Sequence, residues 1–118
     1  MINITIPTAD ITITKQDAPE SNNLYGFTDM HLIPRDKGGI FMFYNINDEL
    51  LFVGKARKLR QRVKKHFEDN VSVIKAHRDE VSKIDVCLIE DPVDREIYET
   101  YIVNQLKAKY NVDKALFR

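Results

Sequence analysis

Residues 39–67 read GIFMFYNINDELLFVGKARKLRQRVKKHF. The run from Gly39 to Tyr44 is short, apolar and aromatic-rich, which predicts a strand buried on both faces. Asn45-Ile46-Asn47-Asp48-Glu49 is a turn-rich connector of hairpin length, and Leu50 to Gly54 reads as a second strand. The pair is therefore an antiparallel hairpin. A helix is expected from about Ala56, because Leu59, Val63 and Phe67 recur every fourth residue on one face.

Downstream, a second and more polar helix is expected over residues 72–82. Ile84, Val86 and Leu88 alternate with Asp85 and Cys87, giving a third strand. Asp91-Pro92 opens the last helix, with Asp as N-cap, Pro at the first helical position and Asp94 in the first turn. It should run to around Lys107, with Tyr110-Asn111 closing the core. Upstream, Ile2/Ile4/Ile6 and Ile11/Ile13 suggest short strands, residues 21–30 (SNNLYGFTDM) read as loop, and Pro34 with Gly38-Gly39 marks a turn. The order β-β-α-α-β-α implies an α+β fold, a small three-stranded antiparallel sheet flanked by helices. The expected division is an N-terminal extension over residues 1–37 and the domain proper over 38–118.

The length of 118 residues fits one domain, and 4 Gly with 4 Pro exclude low complexity. No stretch approaches the roughly 20 apolar residues that span a bilayer, so no membrane partner is expected. Met1-Ile2-Asn3-Ile4 carries neither a basic region nor an apolar one, so a secretory signal is not expected. The single Cys87 excludes an internal disulfide and a multi-cysteine zinc site. A soluble, reduced, cytoplasmic domain is the expectation.

Charge is balanced overall, 18 Lys+Arg against 18 Asp+Glu, but it is segregated. From Lys55 to His66 seven of twelve residues are Lys or Arg and none is acidic. Such a stripe attracts phosphate through its local field, although a solvated helix face is the commoner meaning of a charge run. Within it, Arg62 lies about 60° and His66 about 20° around the helix from Leu59, so both point toward a groove beside the core. Arg57, Lys58, Lys64 and Lys65 can fan outward. Glu99 has Ile102, Val103 and Leu106 as its i+3, i+4 and i+7 neighbours, so its carboxylate sits on an apolar sector. A buried charge there needs a cation: an Arg, a Lys or a metal. For both features a structural ion pair is the plainer alternative. Gly54-Lys55 could place a lysine near a phosphate, but Ala56 and the missing GxxxxGK[ST] pattern exclude a Walker loop.

Taken in order, GIFMFY, FVGKARKLRQRVKKHF and ETYIVNQLKAKYN resemble a GIY-YIG nuclease domain, most like the N-terminal nuclease domain of the excision-repair subunit UvrC. The resemblance covers roughly residues 38–112. It implies that Arg62 is the catalytic arginine and His66 the histidine of an Arg-x-x-x-His variant, where UvrC-type domains often carry tyrosine. It likewise makes Glu99 the single metal ligand, Lys55 the lysine after the second strand motif and Asn111 the asparagine after the last helix. Ala108 replaces the proline common before the family's terminal Tyr-Asn. Phe41 and Phe52 stand where the two signature tyrosines belong, so the rings remain and both hydroxyls are lost. General-base help is worth about 10²–10⁴-fold, which makes that loss consequential, and His66 is the better candidate base.

The leading expectation is a DNA endonuclease that uses one Mg²⁺ or Mn²⁺ at Glu99 and acts in DNA repair or nucleic-acid processing, with damaged, branched, nicked and plain duplex DNA all left open as substrate. Arg57, Lys58, Arg60, Lys64, Lys65 and Asn111 would hold the nucleic acid without reading its sequence. A repair-protein partner is implied only by the resemblance. The alternatives are a nucleic-acid-binding module whose catalysis is weak or lapsed, favoured by the two Phe residues, and a protein-interaction domain with the N-terminal extension as docking strand, supported by residues 1–35.

Overall fold

β2 (Gly39–Tyr44) and β3 (Leu50–Ala56) form the expected hairpin, paired from Gly39 opposite Ala56 to Tyr44 opposite Leu50. The computed structural model describes residues 4–16 and 25–111. A bulge between Phe43 and Tyr44 shifts the register, so Phe43 faces Phe52 while Tyr44 faces Leu50. β2 is buried almost throughout because it is an inner strand, with β3 on one side and β4 (Lys83–Leu88) on the other.

The sheet has four strands rather than three. β1 (Ile11–Thr14) pairs antiparallel with β4, Ile11 opposite Val86 and Thr14 opposite Lys83, giving the order β1-β4-β2-β3. The Ile11/Ile13 alternation thus marks a real strand, and Ile13 is buried beside Ile84 and Val86. Ile4 and Ile6 lie outside any strand, and Ile2 falls outside the described residues. Phe27, Met30 and Ile33 from the upstream segment join the same core, so the extension packs on the domain.

The first helix, α1 (Leu59–Glu68), starts three residues later than its apolar spacing implies. Lys55 and Ala56 are still paired in the sheet with Ile40 and Gly39, and the ladder holds them extended. Leu59, Val63 and Phe67 are its buried face, as the period requires. The expected helix over 72–82 is instead a 3-10 stretch, Lys75–Glu80. Its entry is occupied by side-chain bonds: Asp69 Oδ1 accepts from the Val71 and Ser72 amides, and Ser72 Oγ accepts from Ile74 N. Such local bonds compete with an α-helical ladder.

α2 (Pro92–Leu106) begins as expected, with the Asp91 carboxylate accepting from the Val93 and Asp94 amides. It ends at Leu106, where Lys107 takes a left-handed conformation as C-cap. The two helices cover opposite faces of the sheet. Phe41, Phe43, Leu51, Ile84 and Val86 pack with α1, whereas Ile40, Met42, Val53 and Cys87 pack with Ile102 and Val103 of α2. Gly54 lies opposite Phe41 in the register, and a Cβ there would overlap the Phe41 ring. That close approach is why a glycine stands at this point of β3.

Candidate active site

The basic helix and the last helix reach a common cleft of about 460 Å³. Phe52 and Val53 of β3, Arg62, Lys65 and His66 of α1, and Glu99 of α2 line it, closed by the turn after α1 and by Tyr110 and Asn111. Residues far apart in sequence are brought here because β3 runs between α1 and α2. The spacing argument for Arg62 and His66 holds: both face this groove. The exposed Val71 and Val73 form its apolar lip.

Arg62 is exposed, and among the described residues its guanidinium makes no hydrogen bond or ion pair. His66 is half-buried among the rings of Phe52, Phe41 and Phe43, whose centroids lie 5.0, 5.3 and 5.9 Å away. Its Nδ1 is 2.6 Å from Ser72 Oγ. Burial pushes its pKa down to about 4, Asp69 opposes the shift, and Arg62 and Arg78 add to it. The imidazole is therefore neutral at physiological pH.

That shift has a consequence for stability. The folded-state pKa lies below the unfolded value of about 6.5, so the contribution is complete above pH 6.5 and is lost as pH falls toward 4. With allowance for its partial exposure, the loss is on the order of 2 kcal/mol. Urea unfolding at pH 7 and pH 4.5 measures it, and His66→Gln should remove most of the difference between the two. An equal drop in the variant would mean that other groups carry it.

Glu99 is 5% exposed, beside Ile102 and Val103 on the buried side of α2. Lys55 Nζ lies 3.8 Å from its Oε1 and also pairs with Glu96. Lys55 is thus a strand residue engaged with two carboxylates of α2, not a lysine at a helix N-terminus. Among the described residues no group of three or more His, Cys, Asp or Glu side chains comes together. A lone carboxylate at a cleft wall does not suit zinc. It does suit a hard cation of the Mg²⁺ class, which keeps several waters and takes one or two carboxylates plus substrate phosphate.

Phe41 and Phe52 occupy unequal positions. Phe52 lines the cleft and is partly exposed, whereas Phe41 is 0% exposed with its ring tip against Gly54. A hydroxyl added at Phe41 enters packed surroundings. Phe41→Tyr should destabilise by about 1–3 kcal/mol, while Phe52→Tyr should stay within about 0.5 kcal/mol. Chemical unfolding of both variants checks this, and equal stabilities would refute the asymmetry.

The remaining basic residues divide between two further grooves. Arg57, Lys58, Gln61, Arg62 and Lys65 line one next to the cleft. Lys58, Lys64 and Lys65 line the other together with Arg35 and two carboxylates, Asp36 and Glu68. Arg60 also borders the second groove, but its guanidinium is engaged with backbone. Its guanidinium donates to the Ile33 and His31 carbonyls, both at 2.7 Å, and ties the upstream segment to α1. The Asn111 amide is likewise engaged, accepting from Val53 N at 2.7 Å and donating to Val53 O at 2.8 Å. It clamps the chain after α2 to β3 and so fixes one wall of the cleft.

Sequence reasoning passed over Asp69, Ser72 and Arg78. The buried Arg78 donates to the His66 and Asp69 carbonyls and caps the end of α1. The Asp69-x-x-Ser72 spacing after a helical pattern was the available signal for the braced turn.

The chain thus forms an antiparallel sheet flanked by helices, with Arg62, His66 and Glu99 facing one cleft. Residues 37–112 match the model of the UvrC-like GIY-YIG domain, and the chain belongs to that family. It is 63% identical to YurQ, an uncharacterized protein of Bacillus subtilis (strain 168), over the full length of both. It is 34% identical to the UvrABC system protein C of Nautilia profundicola over 65% of this chain, and spans 14% of that protein's length. Among solved structures, the N-terminal endonuclease domain of UvrC from Thermotoga maritima, bound to magnesium, superposes with a TM-score of 0.61. That match covers 71% of this chain and 97% of the other at 17% identity, and it establishes the shared fold. A tyrosine-to-phenylalanine point mutant of the Thermotoga domain, also with its catalytic divalent cation, matches equally at 0.61. No helix among the described residues is long and apolar enough to cross a membrane.

Proposed function

We propose that this chain is a divalent-cation-dependent DNA endonuclease that hydrolyses phosphodiester bonds in DNA repair or nucleic-acid processing. The observation that carries the reading is the convergence of Arg62, His66 and Glu99 on one cleft beside the basic face of α1. In this role Arg62 holds the non-bridging phosphate oxygens and offsets the charge that develops on them. Among the described residues its guanidinium has no partner, which leaves all five donors for those oxygens. Lys65, Arg57 and Lys58 hold the flanking backbone phosphates, Lys64 reaches the same strand from the outer groove, and none of them reads bases. Lys55 steadies the Glu99 carboxylate, and Asn111 keeps β3 in place beneath the scissile bond. Mg²⁺ or Mn²⁺, held by Glu99, would polarise the scissile phosphate.

Replacement of the signature tyrosines favours a second reading, a nucleic-acid-binding module with weak or lapsed catalysis. Phe41 and Phe52 supply no hydroxyl to orient a nucleophile. Against it stands the retained Arg62, His66 and Glu99, and the cation bound by the Thermotoga domain when a tyrosine is replaced by phenylalanine. The deciding experiment is incision of plain, damaged, nicked and branched labelled DNA in Mg²⁺ or Mn²⁺, with binding followed on the same samples. Cutting by the wild type and not by Glu99→Gln supports the nuclease. Salt-sensitive binding without cutting, with activity appearing in Phe52→Tyr, supports the module.

A further inference from the structure

His66 is a neutral imidazole with one ring proton, and the residue that decides where that proton sits is on the turn after α1. Ser72 Oγ lies 2.6 Å from Nδ1 and accepts the Ile74 amide at 3.2 Å. Among the described residues, Nδ1 is the acceptor within reach of the Ser72 hydroxyl proton. With Oγ donating to Nδ1, every donor and acceptor in this group is matched, and the ring proton must then sit on Nε2. In the opposite arrangement Oγ would accept twice and its own proton would have no partner among the described residues. Nε2 takes no partner from the described residues and is not sealed in the core, so it opens on the cleft that His66 lines.

We propose that Ser72 is a positioning residue that fixes His66 as the Nε2–H tautomer, so that a neutral imidazole donates a hydrogen bond to a phosphate oxygen in the cleft. This rests on the nuclease reading for the identity of the phosphate, but not for the tautomer. It replaces the expectation that His66 is the general base. A ring whose only free nitrogen carries a proton cannot accept another there, whereas it can hold an anionic oxygen without a positive charge of its own. The position is braced for this role. Asp69 Oδ1 fixes the Val71 and Ser72 amides, Arg78 holds the His66 and Asp69 carbonyls, and three phenylalanine rings surround the imidazole. The charged groups that act on the ring are Asp69, Arg62 and Arg78.

Nitrogen-15 spectra of the imidazoles at pH 7, in the whole chain without DNA, read the tautomer directly. The expected signature of His66 is a protonated Nε2 and a bare Nδ1, lost to a mixture of tautomers in Ser72→Ala and retained in Ser72→Thr. A protonated Nδ1 in the wild type, or an unchanged pattern in Ser72→Ala, overturns the proposal. Addition of a short DNA duplex in EDTA should shift the Nε2 resonance. No shift, although the duplex binds, overturns the donor role. If the wild type cuts DNA, Ser72→Ala should lower kcat by about tenfold with KM unchanged, and Ser72→Thr should recover it. If the tautomer and the DNA-induced shift are as expected but no DNA is cut, the positioning role stands and the nuclease reading falls.

Discussion

Glu99→Gln is expected to abolish cation-dependent incision, a loss of about 10³-fold or more, because a bound cation supplies several kcal/mol of charge stabilisation to a phosphoryl centre. The substitution keeps the shape of a side chain that is 5% exposed and removes only its charge. The fold should survive it, since Lys55 retains Glu96 as a partner when Glu99 becomes neutral. Without divalent cation the melting temperatures of variant and wild type should therefore agree closely. With Mg²⁺ or Mn²⁺ in excess, the wild type should gain stability through ligand linkage and the variant should not. Incision by Glu99→Gln, or an equal melting shift in both proteins, would remove Glu99 as the ligand.

The second large effect concerns stability and falls on Arg78→Ala, expected to cost about 3 kcal/mol and to lower Tm by about 10 °C. Arg78 is 8% exposed, and its guanidinium satisfies the carbonyls of His66 and Asp69 at the end of α1. Truncation leaves those acceptors desolvated without a donor. Arg78→Lys keeps the charge but cannot span both carbonyls with a rigid fork, so it should recover only part of the loss. Chemical unfolding of the two variants measures both. A cost below about 1 kcal/mol for Arg78→Ala would mean that the end of α1 is held by other contacts.

These two effects also separate chemistry from architecture at the site. In the proposed reading Glu99 acts through its charge, and its neutralisation is expected to leave the fold intact. Arg78 acts through the backbone it holds, and its loss reaches the cleft by releasing the turn that carries Ser72. A fall in incision that follows stability belongs to the second kind. One that appears in a protein of unchanged Tm belongs to the first.

The sequence by itself determined much of this molecule. Apolar spacing at Leu59, Val63 and Phe67 set the buried face of α1, Asp91-Pro92 set the start of α2, and the buried run Gly39–Tyr44 set the central strand. Each is a short-range signal, written within one element by periodicity or by a cap. The same periodicity aimed Arg62 and His66 at a groove and left Glu99 on an apolar sector, so the three residues at the centre of the proposed chemistry were legible. Where long-range contacts compete with local preference, only the tertiary structure decided the outcome. β1 is a strand of the sheet because Ile11–Thr14 pairs with Lys83–Val86, far along the chain. Lys55 and Ala56 stay in the ladder because Ile40 and Gly39 hold them there. Lys55 meets Glu96 and Glu99, Arg60 meets the His31 and Ile33 carbonyls, and Asn111 meets Val53, each across a separation that no local pattern encodes. The environment of His66 is of the same kind. Three rings from two strands and a serine beyond the end of α1 make it neutral and orient it, and they meet only once the sheet and the helix are packed together.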